Sequence, residues 1–369
     1  MTPVELSRTV LRAVRRAVDD GELSVAVPER VVVAPPGPGG CGEYATGVAL
    51  QLARPAGRTP QYVAGVLRDR LLRAEGIGDV VITGPGFLNI SLRGADASVA
   101  LVEEVLGAGD TPYGHLPAGS REPVLLRGAA DVRAFVHLDA LARILRAQGH
   151  SVRVGFDAPP ASEWGAVLGN GGTGGAAEGA PIEDEQSAGA QDSRPPVPVP
   201  VPVPVRPVPA PADPLPLGRD AARWALLRPA AHDRPRISGE HLEQRESNPL
   251  FRVRYAHART RALASNAADL GFRPEPGPVG VSGNRPLLTA LADHPRVLAA
   301  AARHRAPDRL ARHLVTVADA TQPLLPAVLP LGAEKPSAVH RARLALAEAA
   351  GTVLADGLSL LGIDAPDHL

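Results

Sequence analysis

Apolar residues recur at three- and four-residue spacing over most of this chain and run together in only a few short stretches. Residues 2–18 set Leu6, Val10, Leu11, Val14 and Val18 on one face and arginines on the other, the pattern of an amphipathic helix. Val31-Val32-Val33 reads as a short strand, closed by a Pro/Gly loop at 35–42. Helices are predicted over 44–53 and 60–75, and strands over 79–83 and 87–92 joined by the turn Gly84-Pro85-Gly86. This order predicts an α+β domain over residues 1–108.

In the middle of the chain, 124–127 and 151–156 read as strands around a helix at 138–148 that ends at Gly149. That is one βαβ unit, a short α/β segment within 121–169, too small to close a nucleotide-binding sheet alone. After Gly169 the composition falls to Gly, Ala, acids and Gln, then to a Pro/Val repeat over 195–211. Residues 170–216 therefore predict a disordered, Gly/Pro-rich linker, flexible first and then an extended polyproline rod. A proline-rich ligand is the functional alternative, with Arg194 and Arg206 as its only anchors. From 217 to 369 the helical period returns, over 219–228, 239–269, 285–304, 307–329 and 337–361, predicting an all-α helix bundle.

Composition narrows the chemistry. Lys+Arg and Asp+Glu both number 39 in 369 residues, so any affinity for an anion must come from a local patch. Lys335 is the one lysine, and aromatics are 3% of the chain, which makes each ring informative. Cys41 is alone, so no disulfide framework forms and a reducing compartment suits the chain. The first twenty residues lack the apolar core of a signal peptide, and no run reaches the roughly 18 apolar residues of a membrane span. The expected location is cytoplasmic, with no membrane partner. No His/Cys/Asp cluster has metal-ligand spacing and no Gly-rich loop sits between strand and helix, so neither metal nor cofactor is expected.

The densest chemistry lies at 248–261. Asn248 or Ser247 can cap a helix whose first turn holds Pro249. Arg252, Tyr255 and Arg259 then share one stripe, with Arg254, His257 and Arg261 roughly opposite and Val253, Ala256, Leu263 and Ala264 between them. Two cationic stripes must meet anions or pair with distant acids, and arginine forks beside a tyrosine face suit phosphates and unstacked bases. A solvated helix with ion pairs elsewhere is the alternative.

Asn-Pro-Leu-Phe-x-Val-x-Tyr-Ala-His-Ala-Arg at 248–259 resembles the signature helix of the DALR anticodon-binding domain of arginyl-tRNA synthetases. Asp220-Ala221-Ala222-Arg223 with Trp224-Ala225-Leu226-Leu227 resembles the opening of that domain, and Leu361-Gly362-Ile363-Asp364-Ala365-Pro366 its end. Gly42-Glu43-Tyr44-Ala45-Thr46, Ala49-Leu50-Gln51-Leu52-Ala53 and Gly84-Pro85-Gly86-Phe87-Leu88-Asn89 resemble the N-terminal additional domain of the same family. The resemblance implies contact with the tRNA D-loop there, through Phe87 and Asn89, and RNA contact at the other end through Asn248, Arg252, Tyr255, His257 and Arg259.

Asp139 to Leu145, Gly149-His150 and Trp164-Gly165 resemble the first half of a class I synthetase catalytic domain. That family carries His-x-Gly-His before this helix, where Phe135-Val136-His137-Leu138 stands here, and no lysine precedes Lys335 to serve a second ATP loop. The sequence thus predicts a degenerate, truncated catalytic core at 121–169 and a chain that is not an enzyme. Its function would be to bind RNA, in particular tRNA, through the domains at 1–108 and 217–369. Docking on a synthetase or another protein is the alternative, and residual arginine–tRNA ligase activity the third reading. Thr321-Gln322-Pro323-Leu324-Leu325-Pro326 replaces a Phe-Tyr pair expected of the family, and its prolines should break the helix there.

Overall fold

The computed structural model describes residues 3–34, 36, 44–92, 94–107, 109, 111–169, 201–277, 279 and 284–369. Their apolar side chains separate into two cores, one drawn from residues 6–92 and the other from 101–365.

In the smaller core, α1 (Pro3–Asp19) buries Leu6, Val10, Ala13, Val14 and Ala17 along one face, as its spacing requires. It packs with α2 (Val48–Ala53) and α3 (Pro60–Leu71) against a sheet of β1 (Tyr44–Thr46), β2 (Ile77–Thr83) and β3 (Phe87–Leu92), in the antiparallel order β1-β3-β2. Thr59 caps α3 by accepting from the Tyr62 N–H, with Pro60 in the first turn. The β2–β3 turn needs glycine: Gly86 has φ 138°, and a Cβ there would stand 3.0 Å from Pro60. Two expectations fail locally. Residues 44–46, read as helix, form β1, because pairing with β3 satisfies their backbone. Val31-Val32-Val33 forms no strand; Ala34 alone bridges to Ala45. Apart from residue 36, the loop 35–42 lies outside the described residues.

The larger core joins what the sequence divided. Here β4 (Leu116–Gly128), β5 (Gln148–Phe156) and β6 (Pro202–Val205) form a parallel sheet in the order β5-β4-β6. Across it lies α5 (Val132–Ala147), capped by Asp131 and buried at 13 of its 16 residues. Its other side meets α7 (Gly218–Leu227), α9 (Arg285–His304), α10 (Pro307–Thr321) and α11 (Ala338–Leu360). This cover extends to its polar residues Arg133, His137 and Asp139, which are buried, and leaves Arg146 exposed. Even α4 (Gly94–Leu106), whose residues fall within the first domain's expected bounds, places Leu101, Val102 and Val105 in this core, against α11 and α9. The remaining helices are α6 (Ser162–Leu168) and α8 (Pro249–Asp269).

The linker expectation is corrected in its second half; residues 170–200 lie outside the described residues. Pro202-Val203-Pro204-Val205 is the edge strand β6, paired with Leu125 to Gly128. Alternation leaves the valine N–H groups on one side of the strand and none on the other, so proline is tolerated at this edge. Residues 239–248, expected helical, form a short 3-10 turn (Gly239–Leu242) and a loop. The Asn248 amide donates to the carbonyls of His241 and Glu243, and Pro249 cannot continue a helix from before it. The prolines after Thr321 do end α10, and a 3-10 turn (Leu325–Ala327) follows.

Buried polar contacts fix the seams. Arg133, in the first turn of α5, sends its five N–H donors to the carbonyls of Leu226, Val208, Asp233, Pro229 and Ala230. Arg223 of α7 pairs with Asp139 of α5 and donates to the Leu361, Leu168 and Gly169 carbonyls. Within α9, Pro295 lacks the N–H that would satisfy the Leu291 carbonyl. The Tyr113 hydroxyl, from the loop after α4, donates to that carbonyl at 3.3 Å instead.

Candidate nucleic-acid interface

The three C-terminal motifs meet around α8. Asp220 accepts from the Asp364 N–H and pairs with Arg254, while His257 Nδ1 lies 3.0 Å from the Pro366 carbonyl and so donates to it. Arg261 pairs with Asp367 at 3.0 Å. One face of α8 is thereby held to the start of α7 and the chain end, by acids distant in sequence. Close passage of α11 needs Gly351, where a Cβ would collide with Thr260 of α8.

The opposite stripe is open to solvent, and its members differ. Arg252 grips Asp319 of α10 with both carboxylate oxygens, at 2.8 and 2.9 Å. Tyr255 is 37% exposed and stacks on Phe251, centroids 5.6 Å apart. Arg259 is exposed and makes no hydrogen bond or ion pair among the described residues. Arg228, at the end of α7, lies within the field of this stripe: burial, then the charges of Arg252 and Arg312, lower its pKa. Sequence reasoning missed Arg228, although it directly follows the Trp224 to Leu227 motif.

Two expected RNA contacts turn inward. Asn248 is buried as the cap of α8, accepting from the Leu250 N–H. His257 is 4% exposed and burial lowers its pKa, so it holds the chain end rather than presenting a cation. In the N-terminal unit the pair divides likewise. Phe87 is 43% exposed at the start of β3. Asn89 is 2% exposed and its amide nitrogen meets the Thr83 hydroxyl at 2.7 Å and the Val81 carbonyl at 3.3 Å. Strand alternation puts both on one face, with Phe87 exposed at the strand's first position beside the turn and Asn89 bracing the hairpin from inside. Tyr62, 45% exposed with Arg58 over its ring at 5.1 Å, was not foreseen. It lies in the first turn of α3, whose Pro60 touches Gly86; its signal was its rarity in a chain with four tyrosines.

His137 lies in the core, 1% exposed, with Nε2 3.1 Å from the Leu226 carbonyl; burial pushes its pKa down to about 3.

Residues 5–92 match the model of the arginyl tRNA synthetase N terminal domain, and residues 253–369 that of the DALR anticodon binding domain. The chain carries both of these arginyl-tRNA synthetase domains. A relative from Frankia alni, named arginine–tRNA ligase, is 46% identical over 165 residues, covering 41% of this chain and 29% of the relative. Another of that name from Kineococcus radiotolerans is 41% identical over 160 residues, covering 42% and 29%. The chain thus spans less than a third of these relatives' length. In fold, it is similar to the arginyl-tRNA synthetase of Thermus thermophilus, with TM-score 0.64 at 17% identity over the whole of both chains. That of Plasmodium falciparum gives TM-score 0.61 at 8% identity, covering 100% and 99%. These findings overturn the expectation of a chain that is not an enzyme: the relatives that it matches at 46% and 41% identity are named arginine–tRNA ligase. No helix of the described residues is long and apolar enough to cross a membrane.

Proposed function

We propose that this chain binds tRNA with both ends, in the service of the arginine–tRNA ligation for which its relatives are named. The DALR domain takes the anticodon arm on the exposed stripe of α8, with Tyr255 as stacking platform and Arg259 and Arg228 beside it for phosphates. The N-terminal domain takes the D-loop at the tRNA elbow, with Phe87 as its stacking ring. One observation carries the reading: two domains of a tRNA-handling family occur in one chain, and each leaves an aromatic ring at the surface although aromatics are 3% of the residues. Rings outside a core stack on bases, and arginines around them neutralise phosphates.

Titration of the full chain with purified tRNA and with a loop-free RNA duplex of similar length, at several salt concentrations, tests this. The expected result is tighter binding of tRNA at every salt, with affinity for both falling as salt rises. Equal affinity for the two would overturn it.

A further inference from the structure

Between α1, the end of α3 and α4 runs a groove of about 900 Å³ whose walls are arginine. Arg8, Arg12 and Arg16 line it from α1 and Arg73 from the end of α3. The three on α1 are exposed and four residues apart, which spaces them by about 6 Å along one side of the helix. Arg8, Arg16 and Arg73 have no ion-pair partner among the described residues, and Arg12 bonds only the Thr9 hydroxyl, at 3.0 Å. Arg70, deeper in, is already neutralised by Asp20 and Glu22. Against these stand Glu5 and Glu75, leaving the lining in cationic excess.

We propose that this groove binds the phosphodiester backbone of an RNA duplex. Each strand of a duplex presents an unbroken row of closely spaced phosphates, so a row of cations ~6 Å apart can meet several of them along one strand. Guanidinium forks suit phosphate oxygens. Ala13, Ala74, Ala97 and Ala100 also line it, and no large apolar or aromatic side chain lines it among the described residues. A protein partner would need such anchors, whereas a phosphate backbone does not. Phe87 lies beside the first turn of α3 and Arg70 and Arg73 at its far end, so the groove is separate from the proposed D-loop contact. The inference extends the tRNA reading without depending on it, because a plain duplex has neither D-loop nor anticodon.

The test uses the full chain, a labelled loop-free RNA duplex and a polyglutamate peptide. The variant R8Q/R12Q/R16Q is set against R30Q/R54Q/R153Q, which removes equal charge from exposed arginines outside the groove. Thermal melting checks that both fold, and single Arg16→Gln replaces the triple if it does not. We expect the groove triple to lose duplex affinity at least tenfold at low salt and its salt slope to fall by two to three units, about one per arginine. The control triple should stay within threefold, and R8K/R12K/R16K should keep most of the binding. Equal losses in the two triples, or none in the groove triple, would overturn the proposal. So would loss of polyglutamate binding with duplex binding intact, which would assign the groove to an acidic protein. Phe87→Ala and Tyr255→Ala should leave duplex binding unchanged, so failure of the groove and failure of the tRNA reading are told apart.

Discussion

Around the sheet β1-β3-β2, the buried polar side chains among the described residues are Thr9, Thr46 and Asn89, none of them charged. In the larger core they include Arg133, Asp139, Arg223 and Asp308, with His137, His257, His294 and His313. The smaller unit comes from one run of about ninety residues, and its apolar stripes and one hairpin are enough to specify it. The larger one assembles pieces from 94 to 369, and apolar contact alone does not dictate how such pieces register. Arginine forks reading backbone carbonyls do, because each carbonyl has a fixed position and direction. The difference teaches that the buried charges of Arg133, Arg223 and Asp139 tie together segments distant in the chain.

Removing the seam's largest clamp should separate the two cores most sharply. Arg133→Leu leaves five carbonyls without their donors and is expected to cost about 3–5 kcal/mol of stability in the larger unit. Denaturant unfolding followed at Trp224 should show the loss, with α1 to β3 unaffected in hydrogen exchange. A uniform loss over both units would deny them separate cooperativity.

Acid should divide them next. No histidine precedes His115. His137 and His313 are held neutral by burial, with pKa values lowered to about 3 and about 4, and His294 is lowered likewise. Because the folded values lie below the unfolded value near 6.5, the unfolded chain takes protons the folded chain refuses as pH falls below ~6.5. Stability conferred by these neutral histidines is present above that pH and lost on the way down to about 4 for His313 and about 3 for His137. For His137 and His313 the loss is about 2 kcal/mol each by pH 5. His294 makes no hydrogen bond among the described residues and stacks on Tyr113, so His294→Phe should preserve the melting temperature at pH 7 and flatten its fall by pH 5. An unchanged pH profile in that variant would remove His294 from the account.

Much of this was legible in the sequence where one element's own pattern decided it. The spacing gave α1 its buried face, and the helical period at 285–304 is α9. The motifs at 220–223, 248–259 and 361–366 were seen, and the structure brings them together. Their meaning was less legible, because partners across a seam are not neighbours in sequence. That the arginines of 248–261 would meet either anions or acids was legible, but not that Asp319, Asp220 and Asp367 are the acids that Arg252, Arg254 and Arg261 meet. Asn248, His257 and Asn89 looked like surface readers and are braces. The Pro/Val repeat lacks a core pattern, yet the open edge of β4 gave Pro202–Val205 a place. Lone apolar alternation cannot announce such a docking.

Smaller effects belong to the surface of α8. Arg259→Ala should flatten the salt dependence of tRNA binding by about one unit, and Arg252→Ala by less, since Asp319 already neutralises Arg252. Equal slopes for both would show that Arg252 leaves Asp319 when RNA arrives.

The claim that each end holds a different part of one tRNA is tested most directly by single-ring deletions read on two RNAs, full tRNA and an isolated anticodon stem-loop. Tyr255→Ala should weaken both complexes by about 1–3 kcal/mol, the worth of a stacked base. Phe87→Ala should weaken the full tRNA complex by a similar amount and leave the stem-loop complex unchanged. Equal losses on both RNAs for Phe87→Ala, or none on either RNA for both variants, would contradict the account.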